Sequence, residues 1–455
     1  MTKAERVKYL IIGNSAGGIG AAEAIREVDR AGAIAIVSSE PYHAYSRPLI
    51  SQYLVEGRPL QRMMFRPADF YKEKNIQAIL GQEVTGLNID KHNVKLDDGR
   101  SIIWEKLLLA TGSSPIVPNI EGIGLKGVFT FTTRDDARAI YKFLNQYHTE
   151  VRAVVIGGGL IGISATEALV KRGVKVTIVE MKERILNTIL DEEASFLVEA
   201  SLNELGVEII NGHIVSRITS FLPGRATGIA LDNDRPIPCE MVIVAVGVQP
   251  RTKIVSETGI RIDRGILVDH HMATSSPDVY ACGDVAEAYD FIYDENRLTP
   301  IWPNAYIGGR IAGFNMAGLP TEYQGGTSMN AMKYFGLAIV SAGILTPPDD
   351  SYEVISEKHG HVYKKVVLKN GLIVGVIFSG DIEKSGIIYN LMKNRVNVDT
   401  FKQALIADDF GLISLPEEIW RPLLEHTSPV TPSLATSDKQ PEKMAIGDLG
   451  LVSGR

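Results

Sequence analysis

The feature that most restricts this chain is that it repeats itself. VKYLIIG at 7–13 is followed by NSAGGIGAAEAIREV, and VRAVVIG at 151–157 by GGLIGISATEALVKRG, so one unit occurs twice, 144 residues apart. Each copy opens on a short apolar run rich in β-branched residues, the pattern of a parallel strand buried on both faces. Each then turns through glycines into an alanine-rich helix, and a second strand follows, IAIVSSE at 34–40 and KVTIVE at 175–180. Both second strands end in a carboxylate: Glu40 lies 27 residues after Gly13, and Glu180 lies 23 after Gly157. The match continues into KLLLATGSSP at 106–115 and MVIVAVGVQP at 241–250, apolar strands that reach a glycine turn and then a proline.

Two such copies predict two β–α–β dinucleotide-binding units. A helix N-terminus offers unpaired N–H groups and partial positive charge to a pyrophosphate, provided no side chain blocks the approach. Gly157, Gly159 and Gly162 fill all three expected glycine positions of the second copy, with Leu160 and Ile161 between them. In the first copy Gly13 and Gly18 fit, but Ser15 takes the middle position, with Gly17 close by. A small hydroxyl there is expected to donate to the phosphate rather than crowd it. The acids Glu40 and Glu180 are placed for a ribose hydroxyl pair. A carboxylate at that point repels the 2′-phosphate of NADP, so Glu180 favours NAD, with Lys182 and Arg184 close enough to offset part of the preference. Ala110, Thr111, Gly112 and Gly247, in the turns after the later strands, complete the cofactor-binding set.

Composition removes other classes. Lys and Arg number 47 against 54 Asp and Glu, a net charge of −7 that gives no bulk reason to expect nucleic acid or an anionic membrane as partner. The longest apolar runs, such as Met241 to Val246, fall far short of the roughly 20 residues of a membrane span. Met1 to Lys8 leads directly into a strand-like run without a secretory pattern, which implies a cytoplasmic protein. Cys239 and Cys282 are the only cysteines, too few for a cubane iron–sulfur cluster or a four-ligand zinc site. Any cluster chemistry must therefore belong to another protein, and no metal ligand is assigned.

The segment SSPDVYACGDVAEA at 275–288 adds a strand ending at Gly283 and Asp284. With the twin units, it resembles the two-dinucleotide flavoprotein family that includes the pyridine nucleotide–disulfide reductases, over about residues 5–320 and more loosely to about 410. The resemblance implies two Rossmann-like domains, one inserted in the other, plus a small α+β C-terminal domain. It places FAD in 1–117 and 245–320, with Asp284 on the ribityl chain, NAD in 118–244, and an interface domain over 321–410. Members that relay electrons through thiols carry cysteine after the first acid, where this chain has PYHAYSRPLISQYL at 41–54. That stretch is similar instead to the YxRPxLS pattern of NADH–rubredoxin and ferredoxin reductases and of the flavin part of NADH nitrite reductases, which implies that Arg47 and Pro48 lie against the isoalloxazine. Relatives pair a Lys and a Glu near flavin N5. Here those positions hold Gln52 and Ser164, and Glu167 lies one helical turn further on.

PNAYIGGRIAGFNMAG at 303–318 reads as a helix with Pro303 in its first turn, and the resemblance implies that it is directed at the flavin. Trp302 is expected on the ring or in the core, and Tyr334 and Phe335 near the flavin or in the core. NAMKYFGLAIVSAG at 330–343 and the strands around Asn370-Gly371 predict an antiparallel sheet with a tight hairpin, covered by the helix-like KSGIIYNLMKNRV. After about 427 the composition predicts disorder. The expectation is an FAD enzyme moving electrons between NAD(H) and an iron–sulfur protein or subunit, with hydride transfer needing no catalytic side chain. A homodimer and a subunit of a larger complex are both open. The alternatives are a peroxide-forming NADH oxidase and a nucleotide-binding redox sensor or scaffold.

Overall fold

The computed structural model describes residues 5–57, 60–411 and 414–425; the tail expected to be disordered, 427–455, lies outside them. Residues through Asp409 form one compact body, and a separate body begins at Phe410 and carries the helix Glu417–Glu425.

In the first sheet Glu5–Ile12 runs parallel to Ile34–Ser38 on one side and to Ser101–Leu109 on the other, with Ile76–Leu80 beyond Ile34–Ser38. Leu10, Ile11 and Leu107 to Leu109 are fully buried, as a sheet covered on both faces requires. The second sheet repeats that order: Glu208–Asn211, Lys175–Glu180, Arg152–Ile156 and Met241–Val244 are parallel neighbours, joined at the edge by Val128–Thr130. All of its strands fall between Ser101–Leu109 and Val279–Ala281, which pair with each other in the first sheet. The chain crosses to and from it through Ser113–Pro115 and Val248–Pro250, which form an antiparallel ribbon. One Rossmann-like unit is thus inserted in the other.

The third sheet is antiparallel, in the order Met329–Tyr334, Leu337–Gly343, Leu372–Ser379, Val362–Lys369, Glu353–His359. Asn370 (φ 52°) and Gly371 (φ 72°) make the two-residue turn, opposite Lys369 and Leu372. Helix Ser385–Lys393 packs on Leu372–Ser379 through Ile388, Leu391 and Met392. Sequence reading missed the strand Glu353–His359, a solvated edge with one buried residue in seven. Among the described residues no helix is long and apolar enough to cross a membrane.

Candidate functional site

Both fingerprints are built alike. Gly13 (φ 123°) and Gly157 (φ 106°) adopt a backbone that side chains rarely tolerate, and a Cβ on either would fall 2.0 Å from the Ala110 oxygen or 2.4 Å from the Ala245 oxygen. Gly18 and Gly162 let each helix sit on its own strand turn, since a Cβ there would meet the oxygen of Gly13 at 1.9 Å or of Gly157 at 2.0 Å. Those two therefore act by close packing, the third-glycine role of the motif.

The C-terminal ends of the first sheet open on a cavity of about 2230 Å³, more than twice the ~1,000 Å³ that bounds an ordinary small-molecule pocket. Gly13, Ser15, Gly17, Glu40, Arg47, Pro48, Ala110, Thr111, Gly112 and Asp284 all line it. Leu160 and Ile161 reach it from the second unit, whereas Gly157, Gly159, Gly162, Glu180 and Gly247 do not. Gly157, Gly159, Gly162 and Glu180 gather instead at the start of helix Leu160–Lys171, and Gly247 accepts the Ile116 N–H at 2.9 Å beside the crossover ribbon. Glu180 is 9% exposed and accepts the Gly158 N–H at 2.7 Å and the Lys182 N–H at 2.8 Å. Gly159 has open space where a Cβ would stand, which leaves that helix N-terminus accessible.

Within the cavity Ser15 is the N-cap of helix Ala16–Val28, and its hydroxyl makes no capping bond. The Glu40 carboxylate pairs with Arg47 and accepts the Tyr45 hydroxyl at 2.6 Å. Arg47 also donates to the Thr132 carbonyl at 3.2 Å. Burial opposes the Arg47 charge, but Tyr45, Glu40 and Asp284 around it more than offset that. Its guanidinium is thus engaged by the acid at the end of the second strand, a pairing the sequence pattern did not suggest. Asp284 accepts the Ser113 hydroxyl at 2.7 Å, so the late strand turn and the crossover ribbon meet there.

Helix Trp302–Met316 presents Trp302, Pro303 and Ala305 to the cavity, so its partial positive end faces inward. Trp302 meets Phe65 edge-on at 5.1 Å. This helix crosses Ala16–Val28 backbone to backbone: a Cβ on Gly309 would fall 2.1 Å from the Gly17 oxygen, and one on Gly313 2.4 Å from the Ala21 oxygen. The G-x-x-x-G spacing at 309–313 was the available signal for that crossing, and sequence reading did not use it.

At the end shared with the second unit, Gln52, Ser164, Glu167 and Tyr334 line the cavity and Phe335 does not. Glu167 does present a carboxylate near the missing ion pair, but its Oε1 accepts Lys171 Nζ at 2.9 Å and the Phe335 N–H at 3.2 Å. Lys171 thus balances the Glu167 charge. Burial, then the Glu167 charge, pushes the Tyr334 phenol far above its usual range, so it stays a donor, directed at the Leu160 carbonyl 3.4 Å away.

Neither cysteine offers a nucleophile. Cys282 and Cys239 are free and buried, and burial pushes each thiol up to about 12. Cys282 lies under the first fingerprint, its sulfur 2.7 Å from where a Gly17 Cβ would be. The folded protein is therefore expected to leave both thiols unmodified by an aromatic disulfide reagent at pH 8 and to titrate two after denaturation; one rapidly reacting native thiol would contradict this placement.

Residues 7–309 match the pyridine nucleotide–disulphide oxidoreductase family, and 329–396 match the rubredoxin NAD+ reductase C-terminal domain. The chain belongs to the pyridine nucleotide–disulphide oxidoreductases. It is an NAD(P)H-dependent flavoprotein oxidoreductase that uses FAD and NAD(H). The cavity fits FAD on its own evidence: a fingerprint cradle on its wall with an uncommitted Ser15 hydroxyl, open space over Gly112, where a Cβ would meet nothing, and the buried, unpartnered Gln82 Oε1. Among relatives of this oxidoreductase, NADH-dependent phenylglyoxylate dehydrogenase subunit epsilon of Aromatoleum evansii is 32% identical over 424 residues, 92% of this chain and 99% of the relative. Nitrite reductase [NAD(P)H] of Bacillus subtilis is 28% identical over 397 residues, 86% of this chain but 48% of the relative, so the chain spans about half of that protein. The solved NADH:rubredoxin oxidoreductase from Clostridium acetobutylicum superposes with a TM-score of 0.71 at 27% identity, over 87% of this chain and 97% of that one.

Proposed function

We propose that this oxidoreductase passes electrons between NAD(H) and a separate iron–sulfur protein or subunit, with no thiol relay. The observation that carries the reading is a two-dinucleotide site whose only cysteine, Cys282, is buried beneath the fingerprint. The rubredoxin reductase type of C-terminal domain supports it, as does a near full-length relative that is one subunit of an NADH-dependent dehydrogenase.

In this reading 1–117 and 245–320 hold FAD, 118–244 hold NAD(H), and 321–410 cover the flavin. The flavin, when bound, converts between hydride and single-electron chemistry. Ser15 and the N–H groups ahead of Gly17 and Gly18 receive its pyrophosphate, and Asp284 holds the ribityl hydroxyls. The N-terminus of Trp302–Met316 favours negative charge in the cavity, an effect of about 0.3–1 kcal/mol and up to ~2 where partly buried. Leu160, Ile161 and Tyr334 exclude water where the nicotinamide enters. Glu180, already oriented by two backbone N–H groups, takes the ribose hydroxyls of NADH and repels a 2′-phosphate.

The test is anaerobic stopped-flow reduction by NADH and NADPH, followed by mixing with oxygen, rubredoxin or ferredoxin. NADH is expected to reduce the flavin at least about tenfold faster than NADPH, and an iron–sulfur protein to reoxidise it faster than oxygen does. Useful reoxidation by oxygen alone would replace this reading with a peroxide-forming oxidase.

A further inference from the structure

The loop 181–191 joins Glu180 to helix Glu192–Glu204, and its near end is fixed to the second fingerprint. The Lys182 N–H holds Glu180, and the Leu186 N–H donates to the Gly158 carbonyl at 2.9 Å. Leu186 sits at φ 52°, a left-handed conformation that costs a bulky side chain of order 1–3 kcal/mol and persists only where its surroundings impose it.

The far end is fixed to the third sheet. Asp191 is 8% exposed, and its Oδ1 caps the helix through the Ala194 N–H at 3.1 Å. Its Oδ2 accepts the Tyr363 hydroxyl at 2.7 Å and Lys365 Nζ at 2.8 Å. Both donors stand on Val362–Lys369 of the third sheet, and Lys365 is 9% exposed. Around them Ile339, Tyr363 and Ile377 of that sheet join Ile185, Leu186 and Leu190 of the loop in one apolar cluster. A buried ion pair among apolar neighbours adds little net stability, because desolvation of both charges offsets their attraction. Helix capping does not require it either, since it uses the other carboxylate oxygen.

We propose that Asp191, Tyr363 and Lys365 are positioning residues for the coenzyme: they clamp loop 181–191 to the C-terminal sheet, so that Glu180 and Gly158 are preset for NADH. The same sheet lines the flavin cavity through Met329–Tyr334, so the clamp ties the coenzyme loop to the cavity wall. The proposal rests on the reading of Glu180 as the ribose acid.

Asp191→Asn with Lys365→Met removes both charges while keeping a good N-cap, and Tyr363→Phe removes one hydrogen bond with no change of charge. Each is assayed as FAD-loaded holoenzyme with ferricyanide as acceptor, alongside Glu180→Ala. The expected result is a KM for NADH raised about tenfold in the double variant and about threefold in Tyr363→Phe, the scale of the net contribution of a hydrogen bond. FAD content and kcat should stay within about twofold, the pattern of lost ground-state binding. A lower melting temperature with unchanged KM overturns the clamp and leaves a structural role. If the double variant does not fold, Tyr363→Phe decides alone. If Glu180→Ala leaves KM unchanged, the ribose reading fails; if it raises KM while the clamp variants do not, only the clamp fails.

Discussion

Replacing Gly157 by alanine is expected to leave the protein yellow but nearly unable to take electrons from NADH. The added methyl would lie 2.4 Å from the Ala245 oxygen, at a φ of 106° that alanine rarely adopts. Relief requires the turn to move away from Met241–Val244, carrying with it the helix N-terminus that would meet the coenzyme pyrophosphate. Backbone strain and overpacking cost about 1–3 kcal/mol each. Together they are worth on the order of 100-fold or more in kcat/KM for NADH. Gly13→Ala applies the same collision to the first unit, 2.0 Å from the Ala110 oxygen, and should instead yield colourless protein. Flavin absorbance against protein absorbance, with the anaerobic rate of bleaching by NADH, reads both. Bleaching of Gly157→Ala at the parent rate, or yellow Gly13→Ala at parent stoichiometry, would reverse or dissolve the assignment of cofactors to units.

That twin construction was legible because its determinants are local. An apolar strand, a glycine that must take positive φ, and a helix seated on its own strand turn all lie within about 30 residues, and the structure realises them twice in one strand order. The Asn370-Gly371 hairpin and the Pro303 helix start were readable for the same reason. What escaped depends on partners distant in the chain. Glu167 was recognised as the nearest substitute for a missing carboxylate, but its charge is balanced by Lys171 and by an N–H donor 168 residues away, at Phe335. The types at Glu40 and Arg47 were both singled out, yet the spacing does not reveal that one neutralises the other. The strand Glu353–His359 lacks alternation because an edge strand with both faces largely in water needs none.

The crossing of Ala16–Val28 by Trp302–Met316 leaves no room for a side chain at Gly309, and Gly309→Val is expected to yield folded protein without FAD. A Cβ at 309 would be 2.1 Å from the Gly17 oxygen, and valine adds two methyl groups to it. The obstacle is backbone, so the helices must part by more than an ångström. Both elements that would grip the flavin then move: Gly17 and the fingerprint turn on one side, and the inward-facing N-terminus at Trp302 and Pro303 on the other. At about 3 kcal/mol or more for an overpacked contact that cannot yield, FAD affinity should fall by over about 100-fold. Gly308→Ala is the control one residue earlier. Its Cβ would meet Met272 and Cys282 at 3.5 and 3.6 Å, ordinary contacts, and alanine is a better helix former by roughly 1 kcal/mol. That variant should keep FAD and melt no lower than the parent. Fluorescence titration of the deflavinated proteins measures both affinities. FAD binding by Gly309→Val at parent affinity would mean that the crossing does not position the cradle, whereas loss in both variants would trace the effect to the helix itself rather than to its contact with Gly17.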